Sequence, residues 1–195
     1  MTAASADSAL TTPPSGATAP TPSEFRRAMG LFASGVTVVT GIDGGEPVGF
    51  ACQSFASVSL EPPLILFCAD HNGRTWPRIK RSGRFCVNVL GEDQVDLCGR
   101  FGSSKGKKYE GLDWELSPWG APALPGVLLR VHAEVRDVHV AGDHDVVIGA
   151  VLALEQVIEQ RPMLFFQGRF GLDRHETPDQ APLGPNLWGW GDHWG

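Results

Sequence analysis

The sequence predicts a mainly β fold, an antiparallel barrel decorated by short helices, and three observations carry that prediction. Six or seven stretches have strand character against two or three with helical character. Turns of hairpin length join the strand-like stretches, and none is followed by the long helix that a doubly wound sheet needs. At 195 residues one domain suffices, with a core that removes about 70% of the unfolded chain's surface from water.

The elements follow in chain order. Residues 1–22 (MTAASADSALTTPPSGATAPTP) are mostly Thr, Ala, Ser and Pro and bury too little apolar surface to offset their ordering entropy, so a disordered leader is expected. Ser23 reads as a helix N-cap, and Phe25, Ala28, Met29 and Phe32 as the apolar stripe of a short amphipathic helix ending near Gly35. From Val36 the period changes. VTVVTGI, the turn DGGEP and the run VGFACQSFASVSL read as two strands joined by a Gly-rich hairpin loop. Glu61-Pro62-Pro63 breaks the pattern, and PLILFCAD reads as a buried strand. A short helix is expected between Thr75 and Ser82, with Pro77 tolerated in its first turn. RFCVNVL is a further strand, and GEDQVDLCGRF a helix whose acidic N-terminal end complements its dipole. Residues 102–126, with Trp114 and Trp119, form a loop-rich excursion. Three long strand-like segments follow, VLLRVHAEVRDVHVA, DHDVVIGAVLALEQV and PMLFFQGRF, broken at Gly142-Asp143 and Arg161-Pro162.

Charge and cysteine usage exclude several classes of function. Sixteen basic against 22 acidic side chains give a net charge of −6 with no long basic stripe, which argues against a nucleic-acid partner. Lys105, Lys107 and Lys108 read as a solvated loop. Cys52, Cys68, Cys86 and Cys98 lack CxxC spacing and the six histidines do not cluster with them, so no metal site is expected and the thiols fit a reducing cytoplasm. With no signal-peptide pattern and no apolar stretch long enough to cross a bilayer, a soluble cytoplasmic protein without a membrane partner is expected.

Familiar catalytic signatures are missing. No GxGxxG follows a strand, and GSSKGKK (102–108) lacks both the glycine spacing of a phosphate loop and the hydroxyl residue after its lysine. No GxSxG elbow occurs, and no catalytic residue is assigned. What stands out is residues 49–68, GFACQSFASVSLEPPLILFC, which carries small and hydroxyl side chains where a core strand would hold Val, Ile or Leu. Either a flat, polar-edged ligand approaches the backbone there, or a barrel strand bends tightly. His144, between Asp143 and Asp145, is either a polar turn residue or an imidazole whose charged form is favoured by its neighbours.

Taken in order, RRAMGLFASGVTVVT, PVGFACQSFASVSLEPPLILFC, RTWPRIKRSGRFCVNVL, GRFGS, GDHDVVIGAV and PMLFFQGRF resemble the flavin reductase domain family. In particular they are similar to the NADH-dependent reductase component of two-component flavin monooxygenases, over residues 24–173. The resemblance implies an FMN-binding split barrel of antiparallel, Greek-key type. It also implies a homodimer with FAD or FMN in a groove near the subunit interface, and NADH as hydride donor. Implied flavin contacts fall on Pro47, Val48, Gly49, Phe50 and Ala51, then on Gln53 and Ser54. Further contacts fall on Cys68, Ala69 and Asp70, on Arg74 and Thr75 as phosphate donors, and on Arg100 and Phe101. His144 and Phe170 fall at positions implied for the nicotinamide nucleotide. Hydride transfer depends on stacking and alignment more than on an acid or base, which fits the missing dyad.

The implied function is an NADH:flavin oxidoreductase that supplies diffusible reduced flavin to a partner monooxygenase. A split-barrel flavoenzyme acting directly on an organic substrate and a non-catalytic flavin-binding protein are the alternatives. Residues 23–173 are expected to form the domain. The tail, 174–195, with Trp188, Trp190 and Trp194, reads either as a packing segment or as a cover for the groove or a docking segment for a monooxygenase.

Overall fold

The computed structural model describes residues 18–103 and 105–171, so most of the expected leader and the tryptophan-rich tail lie outside the described residues. Helix α1 spans Pro22–Met29 and is capped by Thr21, not by Ser23. Two features favour the earlier start. The Thr21 hydroxyl accepts the Glu24 N–H while the Glu24 carboxylate accepts the Thr21 N–H at 2.9 Å, and Pro22 takes the first helical position, where no N–H is needed. The helix stops at Gly30, short of the expected end, and Ser34–Gly35 is already a strand, β1.

Strands β2 (Thr37–Asp43) and β3 (Glu46–Cys52) form the expected hairpin, turning on Gly44 and Gly45 at φ 59° and 88°. Positive φ at both central residues is what a type I′ turn requires. Next come β4 (Ala56–Leu60), β5 (Pro63–Asp70), α2 (Trp76–Ser82), β6 (Arg84–Val89) and α3 (Val95–Gly102). After α3, two-residue strands β7 (Glu115–Leu116) and β8 (Pro122–Ala123) pair inside the loop-rich excursion. The long strands β9 (Leu129–Ala141) and β10 (His144–Gln156) then precede β11 (Leu164–Phe166) and β12 (Arg169–Phe170).

Two strand expectations are corrected. VGFACQSFASVSL is not one strand but two, β3 and β4, interrupted at residues 53–55. PMLFFQGRF is a hairpin turning at Gln167 and Gly168, both at positive φ. Its first strand pairs with β1, making a small sheet of order β1-β11-β12.

The main sheet has seven antiparallel strands in the order β3-β2-β6-β9-β10-β5-β4. Its edge strands, β3 and β4, are neighbours in the chain with three residues between them. Seven strands spaced about 4.8 Å apart in a flat sheet would hold the two edges roughly 29 Å apart. A three-residue link spans at most about 14 Å. The sheet therefore curls until its edges approach, giving the expected split barrel. Ser54 fastens the seam: its hydroxyl accepts the Cys68 N–H at 2.8 Å and lies 3.2 Å from the Cys68 carbonyl as a donor.

The barrel interior is packed by Val39, Phe67, Phe85, Val131 and Val147, with Trp76 and Ile79 from α2 closing one end. A second core lies outside the barrel, where Val36, Val38, Leu90, Phe101, Leu124 and Met163 meet. Strand β2 lies between the two cores, so residues 37–41 are buried without alternation. Each fully buried Phe contributes about 1.5–3 kcal/mol relative to exposure. Buried Asn88 ties these layers together, donating to Val38 O at 3.1 Å and accepting the Leu124 N–H at 3.0 Å. Among the described residues no helix is long and apolar enough to cross a membrane.

Candidate functional site

A groove of about 1110 Å³ opens between β3, the C-terminal end of β5, the loop into α2, and the end of α3 with the loop that follows. It exceeds the roughly 300–1,000 Å³ of most small-molecule sites, so a nucleotide-sized ligand fits. The groove gathers many residues expected from sequence to contact a flavin. Pro47, Val48, Gly49, Phe50 and Ala51 form one wall, Ala69 and Asp70 the strand end, Arg74 and Thr75 the approach to α2, and Phe101 the end of α3.

Other expected residues lie elsewhere. Ser54 and Cys68 bond to each other at the barrel seam, and Gln53 is exposed in the same link. Arg100 precedes Phe101 by one helical position and so faces away from it, exposed, donating to Glu110 O at 3.1 Å. Phe170 stacks edge-on against Phe165 in the small sheet, 5.3 Å between ring centres. His144 pairs across the strands with groove residue Asp70, and its Nδ1 lies 2.7 Å from Asp143 Oδ1. That contact holds the Asp143 carboxyl below the usual carboxylate range.

The small residues of β3 serve two purposes. At Gly49 the close neighbour is protein: a Cβ there would sit 2.8 Å from Phe101 Cε1 and 3.0 Å from the Tyr109 hydroxyl oxygen. Phe101 and Tyr109 meet edge to face at 5.2 Å, and the Tyr109 hydroxyl donates to Val48 O at 2.9 Å. Burial pushes the Tyr109 phenol well above its ordinary range, so it remains a donor. The missing side chain at Gly49 thus admits the aromatic pair that backs the wall, while Val48 and Phe50 turn their side chains to the barrel core and part-exposed Pro47 and Ala51 line the groove.

Several groove residues had no recognisable signal in sequence. Trp76 is 3% exposed, and its indole N–H donates at 2.9 Å to Asp145, a buried carboxylate that also meets His71 Nε2 at 3.0 Å and Lys80 Nζ at 3.5 Å. The hydrogen bond from Trp76, then that with His71, holds Asp145 below the usual carboxylate range against the opposing effect of burial. The flanking of His144 by two acids was visible in sequence, but the partners of Asp145 lie 69 and 74 residues away. Lys108 corrects the solvated-loop reading: it is half-buried, lines the groove and donates to Phe101 O at 2.8 Å and Gly49 O at 3.1 Å. Burial, then the charge of Arg74, pulls its pKa below that of an ordinary lysine. Arg78, by contrast, is neutralised by Asp43 at 2.7 Å and Glu46 at 3.0 Å.

The result is an open groove with a backbone wall, an indole at its base and a cationic pole at Arg74 and Lys108. It suits a flat, hydrogen-bonding ring that carries an anionic tail.

Comparison with known proteins agrees with this geometry. A family model described as "Flavin reductase like domain" matches residues 29–171. The chain is 50% identical over 157 residues to the reductase subunit HsaB of a flavin-dependent monooxygenase from Rhodococcus jostii (strain RHA1), covering 80% of each chain. Among solved structures it is similar to a nitrilotriacetate monooxygenase component B homolog from Mycobacterium thermoresistibile, with a TM-score of 0.74 and 46% identity, covering 80% of this chain and 90% of that one. It is also similar to the NADH:FAD oxidoreductase SgcE6 of Streptomyces globisporus C-1027, with a TM-score of 0.73 and 32% identity over 80% of this chain and 96% of the other.

Proposed function

Because the chain belongs to the flavin reductase like domain family, we infer that it oxidises NADH, reduces FAD or FMN, and supplies the reduced flavin to a partner monooxygenase. The observation that carries this reading is the groove itself, which collects residues 47–51, Ala69, Asp70, Arg74, Thr75 and Phe101 from separate elements into one wall-and-pole arrangement.

A bound flavin supplies the hydride-accepting ring. The protein's contribution is orientation, since holding donor and acceptor in register removes much of the entropic barrier of a bimolecular step. The peptide groups of β3 would hold the edge of the bound ring, and Trp76, fixed by its hydrogen bond to Asp145, would form the base of its site. Arg74 and Thr75 are suited to the phosphate. His144, one strand over from Asp70, is suited to the nicotinamide nucleotide, with Phe170 as a second contact. Gln53, Ser54, Cys68 and Arg100 lie outside this groove, so the proposed flavin contacts in one chain rest on the other residues. Carboxylates Asp70 and Asp143 surround the His144 position and disfavour a 2′-phosphate, which supports NADH over NADPH.

The same reading includes a homodimer of a unit spanning residues 23–173, in the cytoplasm, with neither nucleic acid nor membrane as partner. Helix α1 supports the dimer, because it buries none of its residues, while Phe25 and Phe32 are 56% and 77% exposed. The test of function is direct. Purified protein mixed with NADH and sub-stoichiometric FAD or FMN should oxidise many equivalents of NADH in air. Absence of multiple turnovers with both flavins and both nicotinamide nucleotides overturns the assignment, and tight copurification of flavin with weak turnover points to a flavoenzyme that acts directly on an organic substrate.

A further inference from the structure

His71 holds both chain neighbours of His144. Its backbone N–H donates to Asp143 O at 3.0 Å, and its Nε2 lies 3.0 Å from Asp145 Oδ1. The Asp145 carboxyl is held below the usual carboxylate range and so can only accept at neutral pH, which places the proton of that bond on Nε2. The same logic orients His144: the Asp143 carboxylate accepts from its Nδ1 at 2.7 Å, and Nε2 is the ring nitrogen left for a ligand. The turn needs such a hold. β9 pairs with β6 only as far as Glu134, so residues 136–141 have β10 as their sole strand partner among the described residues. β10 pairs with β5 up to His144 opposite Asp70, and beyond that pair the His71 N–H ties the Asp143 carbonyl back to the body of the protein. Asp145 extends the hold inward, since its Oδ2 accepts the Trp76 indole N–H at 2.9 Å and lies 3.5 Å from Lys80 Nζ.

Resting on the reading of His144 as a contact for the nicotinamide nucleotide, we propose that His71 is a positioning residue for NADH, setting the His144 turn in register with the Trp76 base of the groove. Hydride transfer is sensitive to the placement of donor against acceptor, and a misplacement of about 1 Å can cost on the order of 100-fold in rate. Trp76 is enclosed by the core and fixes one oxygen of Asp145, while His71 carries that fixed position out to the turn through the other. A hydrogen bond to an ionised carboxylate is stronger than one between neutral groups, so the link is stiff. His71 does not line the groove, so it acts through Asp143 and His144 and not by touching the ligand. Its side chain is 39% exposed, so truncating it opens no sealed cavity and leaves the fold largely undisturbed.

Steady-state NADH oxidation at saturating flavin tests the proposal, with wild type compared to His71→Ala, His71→Gln, His144→Ala and the double variant His71→Ala/His144→Ala. His71→Ala should raise the KM for NADH about fourfold with a smaller change in kcat, and flavin affinity read by fluorescence should move by less than about twofold. His71→Gln should recover most of the loss, because its amide can donate to Asp145. The double variant should match His144→Ala alone, as expected when one residue acts through the other. An unchanged KM in His71→Ala, effects that multiply in the double variant, or equal losses of NADH and flavin affinity would each overturn the proposal. Hydrogen exchange on the wild type removes dependence on any variant's folding: NAD⁺ should slow exchange at the His71 amide and riboflavin should not. Slowing by both or by neither overturns the proposal. If His144→Ala leaves the KM unchanged, the nucleotide reading of His144 fails and the proposal fails with it. If His144→Ala raises the KM and His71→Ala does not, the proposal alone fails. A protein that turns over no NADH overturns the reductase assignment, and exchange with NAD⁺ then decides the role of His71.

Discussion

The carboxylate of Asp145 accepts the indole N–H of Trp76 at 2.9 Å, joining the start of β10 to the base of the groove. Because that bond and the His71 contact depress the acid's pKa in the folded state, the unfolded chain binds the proton more readily. The stabilisation from Asp145 is therefore fully present above the ordinary Asp value of about 4 and is lost as pH falls through the lower folded value. Asp145→Asn keeps the shape and removes the charge. It should unfold at lower urea concentration than wild type at pH 7, and the gap should narrow at pH 3. A gap independent of pH would mean that packing around Trp76, not the charge, carries the effect.

Gly49→Ala places a methyl group 2.8 Å from the Phe101 ring. Both residues are enclosed, so the ring must shift, at a cost of about 1–3 kcal/mol. Denaturant unfolding should show that loss, and Phe101→Leu in the same chain should recover part of it. Full additivity of the two substitutions would show that the ring had room to move.

His144 is 41% exposed at its side chain and held by Asp143. His144→Ala should raise the KM for NADH roughly tenfold, about 1.4 kcal/mol of binding, with a smaller change in kcat. Stability should change by less than about 0.5 kcal/mol, as at other exposed positions. Steady-state kinetics with an unchanged KM would remove His144 from the nucleotide site.

Phe32 is 77% exposed beside a helix that buries nothing. Phe32→Glu should convert the proposed dimer to a monomer in size-exclusion chromatography with light scattering. A wild-type chain that elutes as a monomer rejects the dimer outright.

Local chemistry accounts for the elements that were legible in sequence. The Pro63 and Asp70 bounds of β5, the span of α2 after Thr75, and the Gly44-Gly45 turn each depend on residues within a few positions of one another. Where the reading slipped, the deciding partner was distant. Residues 53–55 do not break the strand pattern by composition; they break because Ser54 must reach Cys68 across the barrel seam. Lys108 looked solvated within GSSKGKK, since nothing nearby indicates that the carbonyl of Gly49, 59 residues away, will receive its ammonium.

The run that opens at Gly49 marks the same division. By itself the sequence determined the class of fold, the positions of its three helices and longer strands, and, through the order of its motifs, the family and the flavin chemistry that the family performs. Only the tertiary structure decided which small residues face the groove and which admit Phe101 and Tyr109, where Asp145 finds its partners, and how Lys108 and Arg74 come to share one pole. The physical reason is that periodicity and turn chemistry act over a few residues. Burial and charge pairing depend instead on side chains that meet only after the seven-stranded sheet has curled and brought its two edges together.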